Sequence, residues 1–366
     1  MRWIHLEGGY FDIGYQLGWW WGKTFKRQQT TGSAQAFLNA LKKPYQDCLN
    51  RGWDDAIYPL LQNTIKYFPE VMEEIAGIAQ GATDAGFATS IPSIFALCLE
   101  ENDIQKHHCS AALVKQDNGF VLGHNEENDR RYPLCYAKVS LRTKSLQRSF
   151  VSISYPFELL ASSAGMTRYF AFQNNSIGHA GYEELLENTW QRRVPKAVIL
   201  RKLLDLTSLK EIKQLYSNYH LALPYHQYLC FADKAYSIEV RPLLNPYKLP
   251  KNQVKINEMN KDSHIHTNHF IRNIQIDMNW IWSVEADLLD TQARKLQLRN
   301  LLQQNPSLNK KNVKTALLKL ARNPIYRDYT SATLIFNIQR NKRSCNAVSY
   351  FNDRINHLDE IVITKS

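Results

Sequence analysis

The segment His108-Cys109-Ser110-Ala111-Ala112-Leu113-Val114 reads as an apolar strand, the chain breaks at Asp117-Asn118-Gly119, and Phe120-Val121-Leu122-Gly123 reads as a strand again. Asn-Gly between apolar runs is the strongest short-range hairpin signal, because the tight turns that match strand twist need positive φ at their central residues. The pattern therefore predicts an antiparallel pair and, with it, which residues face each other. With Asn118 and Gly119 as the loop, Cys109 falls opposite position 128, beside Glu127. A thiol and a carboxylate then share one end of one hairpin, an arrangement suited to a nucleophile with an acidic neighbour.

The texture of the chain changes at that hairpin. Residues 10–105 are mostly helical in pattern. Gly14, Gly18 and Gly22 recur every fourth residue in the first of these stretches. A glycine inside a helix costs about 1 kcal/mol relative to alanine, so three on one face predict close backbone packing, and a tightly packed core helix accounts for them without any function. Pro69-Glu70 opens a second helix in the manner of an N-terminus, and Ile91 to Glu101 forms a third that leads to His107-His108-Cys109. From Cys109 onward, runs near 109–123, 136–143, 149–155, 168–173, 228–240 and 331–339 read as strands. Helices lie between them at about 195–218 and 284–303, the latter with Asp290 opening its core and Leu296, Leu298, Leu301 and Leu302 on its apolar side. Strands and helices in blocks predict a layered α+β domain. The helical first hundred residues would be a subdomain or a propeptide.

Composition narrows the function classes. The chain has 366 residues, 44% of them hydrophobic and 22% charged, the proportions of a folded globular protein. No stretch approaches the roughly 20 apolar residues that cross a bilayer, and Met1-Arg2-Trp3-Ile4-His5-Leu6-Glu7-Gly8 is too polar for a secretory signal, so a cytoplasmic protein is expected. Six widely spaced cysteines with no CxxC pair fit reduced thiols better than a disulfide scaffold. The net charge is +11, and residues 301–366 hold 11 Lys/Arg against 4 Asp/Glu. These charges are scattered and no nucleic-acid motif accompanies them, so a solvated basic face is expected rather than a nucleic-acid surface.

Buried cysteines are usually small hydrophobes, and Cys109 taken alone is weak evidence of catalysis. Two later segments add to it. His264-Ile265-His266-Thr267-Asn268-His269-Phe270 carries three histidines that zinc would accept as ligands. It lacks His-Glu-x-x-His, and a structural or substrate-lining role is favoured, with no metal expected. Asn268 is the more suggestive residue, since an amide can donate to an oxyanion in acyl transfer. Asp290-Thr291-Gln292-Ala293-Arg294 offers an arginine that either pairs with a surface carboxylate or points into a site and favours the thiolate of Cys109.

Together these features reach a family. The chain resembles the penicillin acyltransferase family of autoproteolytic N-terminal nucleophile hydrolases, the acyl-coenzyme A:isopenicillin N acyltransferase-like proteins, over nearly its whole length. The resemblance rests on Gly9-Tyr10-Phe11-Asp12-Ile13-Gly14-Tyr15-Gln16-Leu17-Gly18, Glu74-Ile75-Ala76-Gly77-Ile78-Ala79-Gln80-Gly81-Ala82, Cys109-Ser110, Gly123-His124-Asn125-Glu126-Glu127 and His266-Thr267-Asn268-His269-Phe270, five segments in the family's order. The more distant bile-salt hydrolases look similar at Thr267-Asn268 and at 290–294.

The resemblance implies a four-layer αββα sandwich and a precursor that cuts its own backbone between His108 and Cys109. The products would be a helical chain, 1–108, and a catalytic chain, 109–366, that stay associated. The freed amine, with a pKa near 7.7–8.0, would serve as base for its own thiol. On this reading Cys109 is the nucleophile, Glu127 orients amine and thiol, Asn268 stabilises the oxyanion and Arg294 lies near the nucleophile. His124, Tyr182, Gln227, Tyr228, His266 and His269 are candidate substrate-lining residues. The reaction would open an amide or thioester through an acyl-enzyme, with no cofactor, although an acyl-coenzyme A thioester is a candidate acyl donor. Three departures stand out: His108 where glycine is common, Glu127 where aspartate is usual, and no second asparagine around 178–182. They leave open a non-catalytic, uncut relative that binds a ligand or partner, with a zinc hydrolase or a nucleic-acid binder ranked lower.

Overall fold

Two large β-sheets face each other, and the apolar side chains trapped between them form one of three hydrophobic clusters among the described residues. The structure is a computed structural model that describes residues 3–28, 58–99, 109–127, 133–177, 193–221, 225–240, 254–268, 285–304, 330–351 and 354–364. The larger sheet runs in the order β1 (Ile4–Gly8), β4 (Cys135–Arg142), β5 (Gln147–Ser154), β6 (Ala164–Thr167), β7 (Phe170–Ser176), β10 (Tyr225–Phe231), β11 (Ala235–Val240), β12 (Val254–Glu258). The smaller runs β13 (Ser263–His266), β2 (Ser110–Gln116), β3 (Gly119–Glu127), β14 (Thr330–Gln339), β15 (Lys342–Phe351), β16 (Arg354–Thr364). A short parallel pair, β8 (Arg193–Val194) and β9 (His220–Leu221), stands apart.

Strand alternation sorts side chains to opposite faces. In β2 and β3, Ala111, Leu113, Phe120 and Leu122 point between the sheets. Ala112, Val114 and Val121 point outward against Leu298 of a helix, α7 (Glu285–Gln304). The larger sheet is covered on its outer face by α1 (Tyr10–Gln28), α2 (Tyr58–Tyr67), α3 (Pro69–Asp84), α4 (Ile91–Leu97), α5 (Lys196–Leu203) and α6 (Leu209–Asn218), whose buried residues share one cluster with β4, β5, β7, β10 and β11. The molecule is thus a mixed α+β sandwich.

Segments before and after Cys109 share this core. β1 pairs in parallel with β4, Ile4 opposite Ala137. Helices α1 and α3 cross so closely that a Cβ on Gly14 or Gly18 would overlap the carbonyl oxygens of Glu74 and Ile78, which is the close packing that the glycine spacing predicts. A buried ion network then ties α1 and α3 to α5. Arg201 Nε donates to Glu74 Oε2 at 2.5 Å and its Nη1 to Asp205 Oδ1 at 3.0 Å, while Tyr10 OH donates to Asp205 Oδ2 at 2.9 Å.

The Cys109 hairpin forms with a different turn. Gln116 pairs with Gly119, so Asp117 and Asn118 are the loop and Gly119 is the first residue of β3. Gly119 has a φ of +153°, and a Cβ there would overlap the Ile338 carbonyl of β14. Both its own backbone conformation and the neighbouring strand require glycine here.

Candidate active site

Moving the loop back by one residue moves every cross-strand pair by two. Ser110 lies opposite Asn125, and Cys109 therefore comes against Glu126 and not position 128. Alternation does the rest. His124 and Glu126 share the inter-sheet face with Cys109, whereas Asn125 and Glu127 point to the outer face, where Glu127 accepts from Thr330 Oγ1 at 2.8 Å and Asn125 from Thr333 Oγ1 at 2.8 Å. The carboxylate beside the thiol is that of Glu126, with Cys109 Sγ 3.4 Å from its Oε1. Glu127 contributes its main-chain N–H to the sulfur instead.

Glu126 is nearly fully buried and heavily solvated by protein. Its Oε2 meets His124 Nε2 at 2.9 Å and accepts from Ser163 Oγ, and its Oε1 accepts from Tyr155 OH. Burial alone would raise its pKa. The hydrogen bond and charge of His124, with the hydroxyls of Ser163 and Tyr155, outweigh that and hold it down at about 2. The thiol shows the opposite balance. Burial first, and the Glu126 charge second, push Cys109 well above the ordinary thiol value, which holds it protonated.

Tyr155 and Ser163 bracket a buried loop between β5 and β6. Within it Phe157 and Ala161 adopt positive φ, +58° and +64°. Such conformations cost about 1–3 kcal/mol each outside glycine and persist only where the surroundings enforce them. Here Ala161 N donates to Ser152 Oγ at 2.7 Å, and Leu160 N donates to Glu74 Oε1 at 3.3 Å. The helical N-terminal segment thus touches the loop that carries two of Glu126's partners.

On the main-chain side, Cys109 is gripped from two directions. Asn175 Nδ2, from β7, donates to the Cys109 carbonyl at 3.2 Å. Arg294 Nη1, from α7, donates to the same carbonyl at 3.0 Å and to Ser110 Oγ at 2.8 Å. The guanidinium continues to Asn268 Oδ1 at 3.2 Å, and Asn268 Nδ2 donates to Ser176 O at 2.7 Å. Thr267 and Asn268 are pinned to α7 through Thr291 at 2.9 and 2.8 Å.

Four sequence-predicted residues therefore fall as follows. Cys109, Asn268 and Arg294 converge, but Arg294 meets the carbonyl and not the sulfur, and the Asn268 amide faces Ser176. Glu127 gives way to Glu126. Asn175 is an asparagine beside Cys109 that the sequence reading, looking near 178–182, did not find; the buried Asn174-Asn175 pair in a strand was its only signal.

The candidate lining residues divide. His124 is in the site. His266 is buried next to it and stacks on His226 with ring centroids 3.5 Å apart, joining the two sheets. Tyr228 packs between the sheets, edge-on to His226. Gln227 lies on the opposite face of β10, accepting from Tyr216 OH at 2.9 Å, which removes it from the site. Tyr182, His269 and His108, expected to precede a cleavage point, lie outside the described residues. His264, the first histidine of its segment, accepts from Lys261 N at 3.2 Å. No helix among the described residues is long and apolar enough to cross a membrane.

No protein-family model matches the chain, and no curated protein matches it.

Proposed function

We propose that this protein is a cysteine hydrolase or acyltransferase of the N-terminal nucleophile type, a four-layer αββα sandwich that cuts itself between His108 and Cys109 and then acts on an amide or thioester. The observation that carries this reading is the double grip on the Cys109 carbonyl by Asn175 and Arg294. A residue that loses the chain before it needs its remaining backbone fixed if its thiol is to stay aimed. Those two donors, from β7 on one side and α7 on the other, supply that restraint. The succession of helices, eight-stranded sheet, six-stranded sheet and α7 supports the same reading.

Chemistry follows from the electrostatics. In the first step the Cys109 sulfur attacks the His108 carbonyl carbon and the C–N bond breaks, leaving a thioester and a free α-amine on Cys109; water then cleaves the thioester, releasing the His108 carboxylate and restoring the Cys109 thiol. Before the cut, burial and Glu126 hold the thiol protonated. After it, the neutral amine accepts the thiol proton, and the ammonium so formed, beside Glu126, offsets that carboxylate's charge and stabilises the thiolate. Glu126 takes the orienting role expected of Glu127. The sulfur then attacks the substrate carbonyl and the leaving amine or thiol departs. Water or an acceptor amine resolves the acyl-enzyme, and an acyl-coenzyme A thioester is one donor of suitable chemistry. Asn268 would serve the oxyanion once its amide turns from Ser176.

Brief exposure to an activated acyl thioester, followed by mass mapping, tests the reading. It predicts one acyl group on the fragment that begins at Cys109. Acyl groups spread over other residues, or none, would favour an uncut binding protein of the same fold.

A further inference from the structure

The face opposite the carbonyl grip holds a different combination of groups. One ligand atom each from Cys109, His124 and Glu126 lies within 4.8 Å of the other two, and all three residues are buried. Among the described residues, no lysine or arginine pairs with Glu126, and His124 is its one ion-pair partner. His124 Nδ1 is buried and has no hydrogen-bond partner among those residues. Two groups able to carry negative charge thus converge on one imidazole whose second nitrogen is unused, with no lysine or arginine paired to the carboxylate among the described residues.

We propose that Cys109, His124 and Glu126 bind a zinc-type divalent cation that caps the nucleophile. Sulfur, imidazole nitrogen and carboxylate oxygen are the three donor types zinc prefers, and three protein ligands leave a fourth position for water. Zinc bonds of about 2.0–2.3 Å in a tetrahedron put ligand atoms about 3.3–3.5 Å apart. Cys109 Sγ stands 3.4 Å from Glu126 Oε1, close to that spacing, while His124 Nε2 contacts the other carboxylate oxygen, Oε2, at 2.9 Å, so the carboxylate turns slightly or offers both oxygens to meet the ion. Tyr155 and Ser163, which donate to Glu126, would orient it as outer partners.

The step balances simply. The metal–sulfur bond forms as the thiol proton leaves to solvent, with no change of oxidation state, and a divalent charge replaces one proton beside the carboxylate. The metal ties up the sulfur electron pair, so the capped state is inactive as a nucleophile and reversible by chelation. This departs from the metal-free expectation of the sequence, where only the 264–269 histidines were weighed. It holds whether or not the chain cuts itself, so it does not rest on the proposed function.

Cobalt provides an optical probe. The full-length protein, stripped with a chelator, is titrated with Co²⁺ and then with Zn²⁺ in competition. The expected result is one Co²⁺ per chain with a thiolate-to-cobalt charge-transfer band that Zn²⁺ abolishes, no band in Cys109→Ser, and at least tenfold weaker binding in His124→Gln. A wild-type protein without the band, or a His124→Gln protein that binds as tightly as wild type, overturns the proposal. If either variant is misfolded by circular dichroism, alkylation of each cysteine in the wild type decides. Protection of Cys109 by Zn²⁺ supports the site, and equal labelling with and without it overturns the site.

Discussion

Cys109 and Glu126 meet across the hairpin with sulfur and carboxylate oxygen 3.4 Å apart, while Glu127, the next residue, turns its carboxylate to the far face of the sheet. Neighbouring glutamates of the same chemistry thus have unrelated environments, which makes them separable by substitution.

Glu126→Gln should lower kcat/KM on an amide or thioester substrate by about 100-fold, the scale of misplacing the amine that acts as general base. Glu127→Gln should cost less than about tenfold, since it changes a bond to Thr330 on the outer face. Steady-state kinetics on the two variants check this. Equal losses would mean that the thiol's partner is misassigned.

Glu126 also predicts how stability depends on pH. Its carboxyl is held at about 2, below its ordinary value of 4.5, so it stabilises the fold above about pH 4.5 and loses that contribution as pH falls toward 2. The shift corresponds to about 3 kcal/mol. Urea midpoints measured from pH 7 to pH 2 should fall more steeply in wild type than in Glu126→Gln, the two curves converging in acid. Parallel curves would contradict the assignment.

Arg201→Met removes the cation shared by Glu74 and Asp205 in a fully buried network. Leaving buried carboxylates uncompensated costs about 3–5 kcal/mol. Lys202→Met, whose partly exposed ammonium pairs with Glu70 and also reaches Asp205 Oδ2 at 3.3 Å, should cost clearly less, because Glu70 keeps access to water and Asp205 keeps Arg201. Chemical denaturation compares them. Similar costs would show that the Arg201 network does not hold the N-terminal helices to α5.

Much of this arrangement was legible in the sequence, and its failures have physical causes. The hairpin, the helix from Pro69 and the helix–helix contact marked by Gly14 and Gly18 all follow local rules. The hairpin turn did not, because Asn118-Gly119 is the stronger local signal but Ile338 of β14 passes where a Cβ at 119 would sit. A long-range contact displaced the loop by one residue and exchanged position 128 for Glu126. β15 and β16 escaped notice because Lys342, Arg343, Arg354, Asp359 and Glu360 break up their apolar alternation at the sheet's edge. Asn268 and Arg294 were found as residue types near Cys109. That they serve its carbonyl and each other depends on the packing of α7 against β13 and β2, which no local pattern encodes.

The central claim is that Cys109 becomes an N-terminal residue by its own chemistry. The most direct measurement is the denatured intact mass of freshly purified protein beside that of Cys109→Ala. The account predicts two wild-type fragments that divide between His108 and Cys109, and a single 42.5 kDa species for the variant. A single uncut chain from both proteins would contradict it, since no free amine would then exist beside the thiol.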